Sequence, residues 1–233
     1  MDTLSNWPYA EAMNTNARRA APNRRAAPKP SVPLSGNVVP LPNSRRAVTR
    51  ARICDAAKEL FFTRGFNAAT MEEIAEAVGI RRSTLYLHFR EKEEILVAIA
   101  QDYTGKIREV IARLPGPEPT REQIATWVRE MAEFTTRERA PTELLASLSH
   151  LPKTPAAVLA FGEDLKQMMA AQLAAFRRAF EPGEDLARAW AMSTLDGLGR
   201  ALTYYARGGG DEFSKCRLTV ATELLSRFVR GEV

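Results

Sequence analysis

The sequence predicts an all-α fold, with three short N-terminal helices followed by a larger helical domain. Three observations predict it. Apolar residues from Ile53 onward recur at spacings of three and four, two segments open with helix-capping boxes, and no stretch alternates as a strand does. The organisation expected is a disordered tail over residues 1–44, a first helical domain over 45–97 and a second over 98–233.

The first helix follows from Ile53, Ala56, Ala57, Leu60 and Phe61, which fall on one face and end before Gly65. Thr70 to Glu73 reads as a capping box, in which hydroxyl and carboxylate each satisfy a backbone donor near the other. A short helix follows with Ile74, Ala75 and Val78 inward, and Gly79 allows the positive φ of a tight turn. Residues 81–88 form a second short helix, and Lys92 opens a longer one through Ile95, Leu96 and Ile99.

Further along, Thr120 to Gln123 repeats the capping pattern ahead of Ile124, Trp127, Val128, Met131 and Phe134 on one stripe. Thr142 is expected to cap a helix carrying Leu144, Leu145 and Leu148. Thr154 and Pro155 mark a helix start, and one continuous helix is expected from there, with Val158, Phe161, Leu165, Met168, Met169, Leu173, Phe176 and Phe180 down one side as far as Pro182-Gly183. A helix from about Asp185 reaches Gly208-Gly209-Gly210, and Asp211 caps the last one, with Phe213, Leu218, Ala221, Leu224, Leu225 and Phe228 inward.

Composition narrows the function classes. The chain has 233 residues and a net charge of +5, and residues 1–46 alone carry seven basic side chains against Asp2 and Glu11. A polyanion partner would therefore meet the N-terminal side. That segment holds half of the 14 prolines and the repeat Arg18-Arg19-Ala20-Ala21-Pro22, Arg24-Arg25-Ala26-Ala27-Pro28. It has too few large apolar residues to offset its ordering entropy, and reads either as a non-specific DNA-binding tail or as a solvated leader.

No apolar run approaches the roughly 20 residues that cross a bilayer, and no secretory h-region is present, so a cytoplasmic protein is expected. Cys54 and Cys216 lack metal-ligand spacing. With two histidines and no nucleophile elbow, phosphate loop or metal cluster, an enzyme is not expected, nor is any metal or cofactor.

The informative stretch is Thr70 to Lys92, TMEEIAEAVGIRRSTLYLHFREK, whose two short helices about Gly79 have the shape of a helix-turn-helix. The second helix of such a unit enters the major groove, where every base pair is distinguishable. Arg81, Arg82, Ser83 and Thr84 would face base edges, with Tyr86 one turn later reaching a thymine methyl or a phosphate. His88 and Lys92 suit phosphate contacts, which fix register and not sequence.

Arg52-Ile53, Ala56-Ala57, Leu60-Phe61, Gly65-Phe66, Thr70, Ile74-Ala75, Val78-Gly79-Ile80, Thr84-Leu85-Tyr86, His88-Phe89 and Lys92 together resemble the N-terminal signature of TetR/AcrR-type transcriptional regulators. The resemblance covers about residues 47–97. It implies a homodimer with one helix-turn-helix per subunit, acting on a palindromic double-stranded DNA operator, and a ligand-binding helical domain behind it. It places phosphate contacts on Thr70, Thr84, Tyr86, His88 and Lys92, and base reading on Arg82, Ser83 and Tyr86 with Arg81 nearby. Arg81 and Ser83 depart from the small residues usual at their positions, so the operator is this chain's own.

The second domain is expected to bind a small hydrophobic or aromatic effector among Trp127, Met131, Phe134, Phe161, Met168, Gln172, Phe176 and Trp190, with Met169, Tyr204 and His150 nearby. Small residues along 187–201, from Ala187 through Gly197 and Gly199 to Ala201, permit close helix approach, and with the last helix they resemble the family's dimer-forming bundle. The function expected is a repressor released from its operator by that effector. The alternative is a constitutive or architectural DNA-binding dimer without one.

Overall fold

Gly65 and Gly79 set the geometry of the first three helices. The computed structural model describes residues 42–233, so the tail expected over residues 1–44 lies outside the described residues apart from the start of the first helix. That helix, α1 (Pro42–Arg64), buries Ile53, Ala57 and Phe61 and stops at Gly65, where φ is +86°. Helix α2 (Met71–Val78) opens on the expected capping box: Thr70 Oγ1 accepts from Glu73 N, and Glu73 accepts from Thr70 N. It closes through Gly79 at φ +72°, where the amides of Gly79 and Ile80 donate back to Glu76 and Ala75. Helix α3 (Arg82–Tyr86) then leaves at an angle fixed by Leu85, which is fully buried.

Helix α4 (Lys92–Ile111) runs without interruption past residue 97, so the expected boundary at 97/98 falls inside a continuous helix. Its inner face, including Ile95, Leu96, Ile99, Tyr103 and Ile107, belongs to one apolar core shared with the helices on either side. Behind it lie α5 (Arg121–Arg137), α6 (Arg139–Leu148), α7 (Ala156–Gln172), α8 (Ala174–Ala179), α9 (Asp185–Gly208) and α10 (Glu212–Val229). The fold is all-α, and no strand occurs among the described residues. The capping box at Thr120 and Gln123 and the Asp211 cap of α10 are both formed.

Three local expectations need correction. Thr142 lies inside α6 and does not cap it; the helix opens at Arg139, and the Thr142 hydroxyl donates to Glu138 O at 2.7 Å. The single helix expected from Thr154 to Phe180 is two, because Leu173 takes extended angles (φ −115°, ψ 124°) that bury its side chain and let the Ala174 amide donate to Pro117 O at 3.0 Å. Phe213 is 68% exposed, and Leu224 is partly so, although their spacing placed both on the inner face.

Two charged networks tie the layers together. Lys106 on α4 holds Glu138 at the α5–α6 junction at 3.1 Å. Glu143 on α6, itself buried, accepts from Arg139 at 2.7 Å and from Arg207 on α9 at 2.6 Å. Because the arginines are about half exposed, these pairs serve to fix helix positions more than to add net stability.

Candidate nucleic-acid interface and cavity

The basic side chains of α1 hold the end of α3 in place. Arg46 donates to Leu87 O at 3.3 Å and Arg50 to His88 O at 2.9 Å, while the Arg50 guanidinium lies 3.9 Å from the Phe89 ring centre. Arg52 donates to Val78 O at 3.0 Å and so covers the carboxyl end of α2. The carboxyl end of the five-residue α3 and that of α2 are thus both tied to α1 by arginine side chains that donate to main-chain carbonyls.

On the opposite, outward side Arg81, Arg82, Ser83 and Tyr86 are exposed. Arg81 occupies the N-cap position without any side-chain cap, which leaves its guanidinium extended from the first turn. Arg82 pairs with Glu72 of α2 at 2.6 Å and donates to the Tyr86 hydroxyl at 3.3 Å. The hydrogen bond to Tyr86 is the first cause raising its pKa and Glu72 the next, so it stays a cation. Thr84 is half-buried beside them. These five side chains share the α3 surface, as the sequence spacing anticipated.

Three of the expected phosphate contacts are placed differently. The ammonium of Lys92 donates to Phe66 O (2.9 Å), Asn67 O (3.0 Å) and Ala69 O (3.3 Å), so its three protons are spent on the α1–α2 loop and it acts as a structural staple. The Thr70 hydroxyl is likewise engaged with Glu73, whose carboxyl is held below its usual range mainly by the Thr70 amide. Burial, reinforced by Arg46 and Arg50, lowers the pKa of the His88 imidazole from its ordinary value. That disfavours the cation and suits His88 to meet a phosphate as a hydrogen-bond donor. Its Nδ1 is buried with no partner, which leaves Nε2 as the outward nitrogen.

Sequence reasoning missed the flanking cations Arg46 and Arg50, and Leu87, which is 74% exposed beside α3. The signal for the arginines was available in their i, i+4 spacing on α1.

Behind α4 lies a cavity of about 530 Å³, walled by α4, α5, α6, α7 and α9. Trp127, Met131 and Phe161 line it, as do Met169, Tyr204 and His150. Phe134, Met168, Gln172, Phe176 and Trp190 do not. Phe134 packs behind Tyr103, with ring centres 5.5 Å apart, and fully buried Phe176 meets Phe228 edge-on at 5.0 Å. Met168 is buried without reaching the cavity, Gln172 ends α7 half-buried, and Trp190 is 37% exposed on α9. The break at Leu173 accounts for Phe176, which it takes off the helix that carries Phe161 and Leu165. Apart from Tyr204, the sequence pattern missed the α9 wall, from Met192 to Arg207, because polar and small residues interrupt it.

Residues 53–99 match the family described as bacterial regulatory proteins, tetR family. The chain is similar to the HTH-type transcriptional repressor KstR2 of Rhodococcus jostii, 38% identical over 87 residues that make up 36% of this chain and 43% of that protein. The chain matches about half or less of the length of the first such relatives. Among solved structures, a TetR-like transcriptional regulator from Rhodococcus sp. RHA1 is 22% identical with a TM-score of 0.61, covering 79% of this chain and 97% of that one. Thermus thermophilus FadR, a TetR-family repressor in complex with lauroyl-CoA, is 27% identical with a TM-score of 0.52, covering 79% and 95%. The matched TetR proteins are named as transcriptional regulators and not as enzymes.

Proposed function

We propose that this protein is a cytoplasmic, dimeric, sequence-specific transcriptional regulator, a repressor whose grip on a palindromic operator loosens when a small apolar molecule enters the cavity. The observation that carries the reading is the exposed row Arg81, Arg82, Ser83 and Tyr86 on a helix whose carboxyl end the α1 arginines tie down. An arginine so placed can bond bidentately to guanine, and the tyrosine ring can meet a thymine methyl. Arg46, Arg50 and Arg90 flank the helix and suit phosphates.

Two copies would meet through α9 and α10, where Leu186, Trp190, Val220 and Leu224 are exposed and Ser193 and Gly197 leave room for a neighbouring helix. Two recognition helices must then lie about 34–36 Å apart to reach successive major grooves. A ligand that favours another spacing lowers DNA affinity by its differential binding to the two states. FadR of Thermus thermophilus, which holds lauroyl-CoA, supports a ligand role for the second domain. No helix among the described residues is long and apolar enough to cross a membrane, and no group of three or more metal-ligating side chains occurs among them.

The test is fluorescence anisotropy at near-physiological salt with DNA from upstream of the gene and a scrambled duplex of equal length. A specific regulator prefers its site by roughly 10³-fold or more. Equal binding to both, with a steep salt dependence, favours backbone-only contacts instead.

A further inference from the structure

We infer that the cavity takes a ligand with a hydrocarbon tail and an anionic head, the tail enclosed among α4 to α7 and the head at Arg200 on the rim. The inference rests on the cavity's being the effector site and adds to it the chemistry of the effector.

The deep wall has no hydrogen-bond donor left to offer. The Tyr103 hydroxyl is paired with Thr142 Oγ1 at 2.9 Å, Trp127 Nε1 donates to Val110 O at 2.9 Å, and Thr135 and Thr203 donate to carbonyls of their own helices. Burial pushes the Tyr103 phenol up to about 12, so no charge develops there. The remaining deep surface is mostly aliphatic, with Ile107, Met131, Leu145, Val158, Leu165 and Leu198 among its residues. A ligand carrying hydrogen-bond acceptors at depth would lose their hydration without replacement. What enters this volume must therefore be hydrocarbon.

The rim is different, and it is cationic. Arg200, Arg207 and Lys166 line the cavity with Asp196 as the acidic residue among the lining. Arg207 is bound to Glu143 and Lys166 to Glu163, whereas Arg200 is exposed and forms no ion pair among the described residues. Arg200 is exposed on α9 in the single chain, beside the face proposed for dimerisation, where an acidic head could pair with it at the mouth of the cavity. A carboxylate and a phosphate share this chemistry, so a fatty acid and an acyl thioester of coenzyme A are the two sources to separate.

Isothermal titration calorimetry of the full chain with sodium laurate, lauroyl-CoA, 1-dodecanol and coenzyme A alone makes the test. Laurate, lauroyl-CoA or both should bind at least tenfold more tightly than dodecanol, and coenzyme A alone should bind at least tenfold more weakly than lauroyl-CoA. Preference for laurate assigns the head to a carboxylate, and preference for lauroyl-CoA assigns it to the phosphates. Arg200→Gln should remove most of the preference over dodecanol while leaving dodecanol affinity unchanged. Because Arg200 also borders the face proposed for dimerisation, the oligomeric state of Arg200→Gln is measured by sedimentation and should match that of the unaltered chain. Equal affinity for dodecanol and both anions overturns the head-group assignment but leaves an apolar effector site standing. Binding of none overturns the inference and the effector role together, while the DNA titration still reports separately on the operator.

Discussion

The double variant Arg82→Ala, Tyr86→Ala should lose roughly 100-fold or more in affinity for the operator while keeping its melting temperature within a few degrees. Each side chain is exposed on α3 and supports nothing beneath it, since the burial that fixes the helix belongs to Leu85 and Phe89. A good base contact contributes about 1–3 kcal/mol of discrimination, and two together give the expected loss. Binding to a scrambled duplex should change far less, because phosphate contacts supply that affinity. Anisotropy titrations on both duplexes, with a thermal melt of the variant, read out all three quantities. Arg82 also releases Glu72 when removed, so the single variant Arg82→Lys separates loss of the planar fork from loss of the ion pair.

Phe176→Ala should destabilise the second domain by about 3–5 kcal/mol, the range for large aromatic deletions in cores. The side chain is fully buried against Phe228 and the space it leaves is closed by α8 and α10. Ligand affinity measured well below the melting temperature should be unchanged, because Phe176 does not line the cavity. A loss of affinity with little loss of stability would instead return Phe176 to the effector site.

That contrast shows what the sequence could reveal. The helix-turn-helix was legible because its signals are local: a capping box closes within three residues, and Gly79 is read from one position. The residues exposed on α3 were legible for the same reason, a five-residue helix having few ways to face. The contacts of Lys92 were not legible, since its partners, the carbonyls of Phe66, Asn67 and Ala69, lie more than twenty residues earlier. The cavity wall was only partly legible, for an apolar stripe marks the inner face of a helix without saying whether core or empty space lies beyond. Trp127, Met131 and Phe161 face space, whereas Phe134, Met168 and Phe176 on similar stripes face other side chains. The extended break at Leu173 decides the last of these, and no glycine or proline announces it. Arg200 drew no attention in sequence because an isolated charge on a long helix is ordinary; its position beside the α9 wall is a tertiary fact.

Release of the operator by a ligand requires that the cavity and the recognition helix be coupled, and coupling is reciprocal. Sodium laurate should be titrated into the protein alone and into its complex with saturating operator, alongside operator titrations with and without saturating laurate. Operator should weaken laurate binding by the same factor by which laurate weakens operator binding, and the factor should lie in the range of about 5- to 150-fold. Tight operator binding and tight laurate binding that leave each other unchanged would contradict that coupling, and would make this a constitutive DNA-binding dimer.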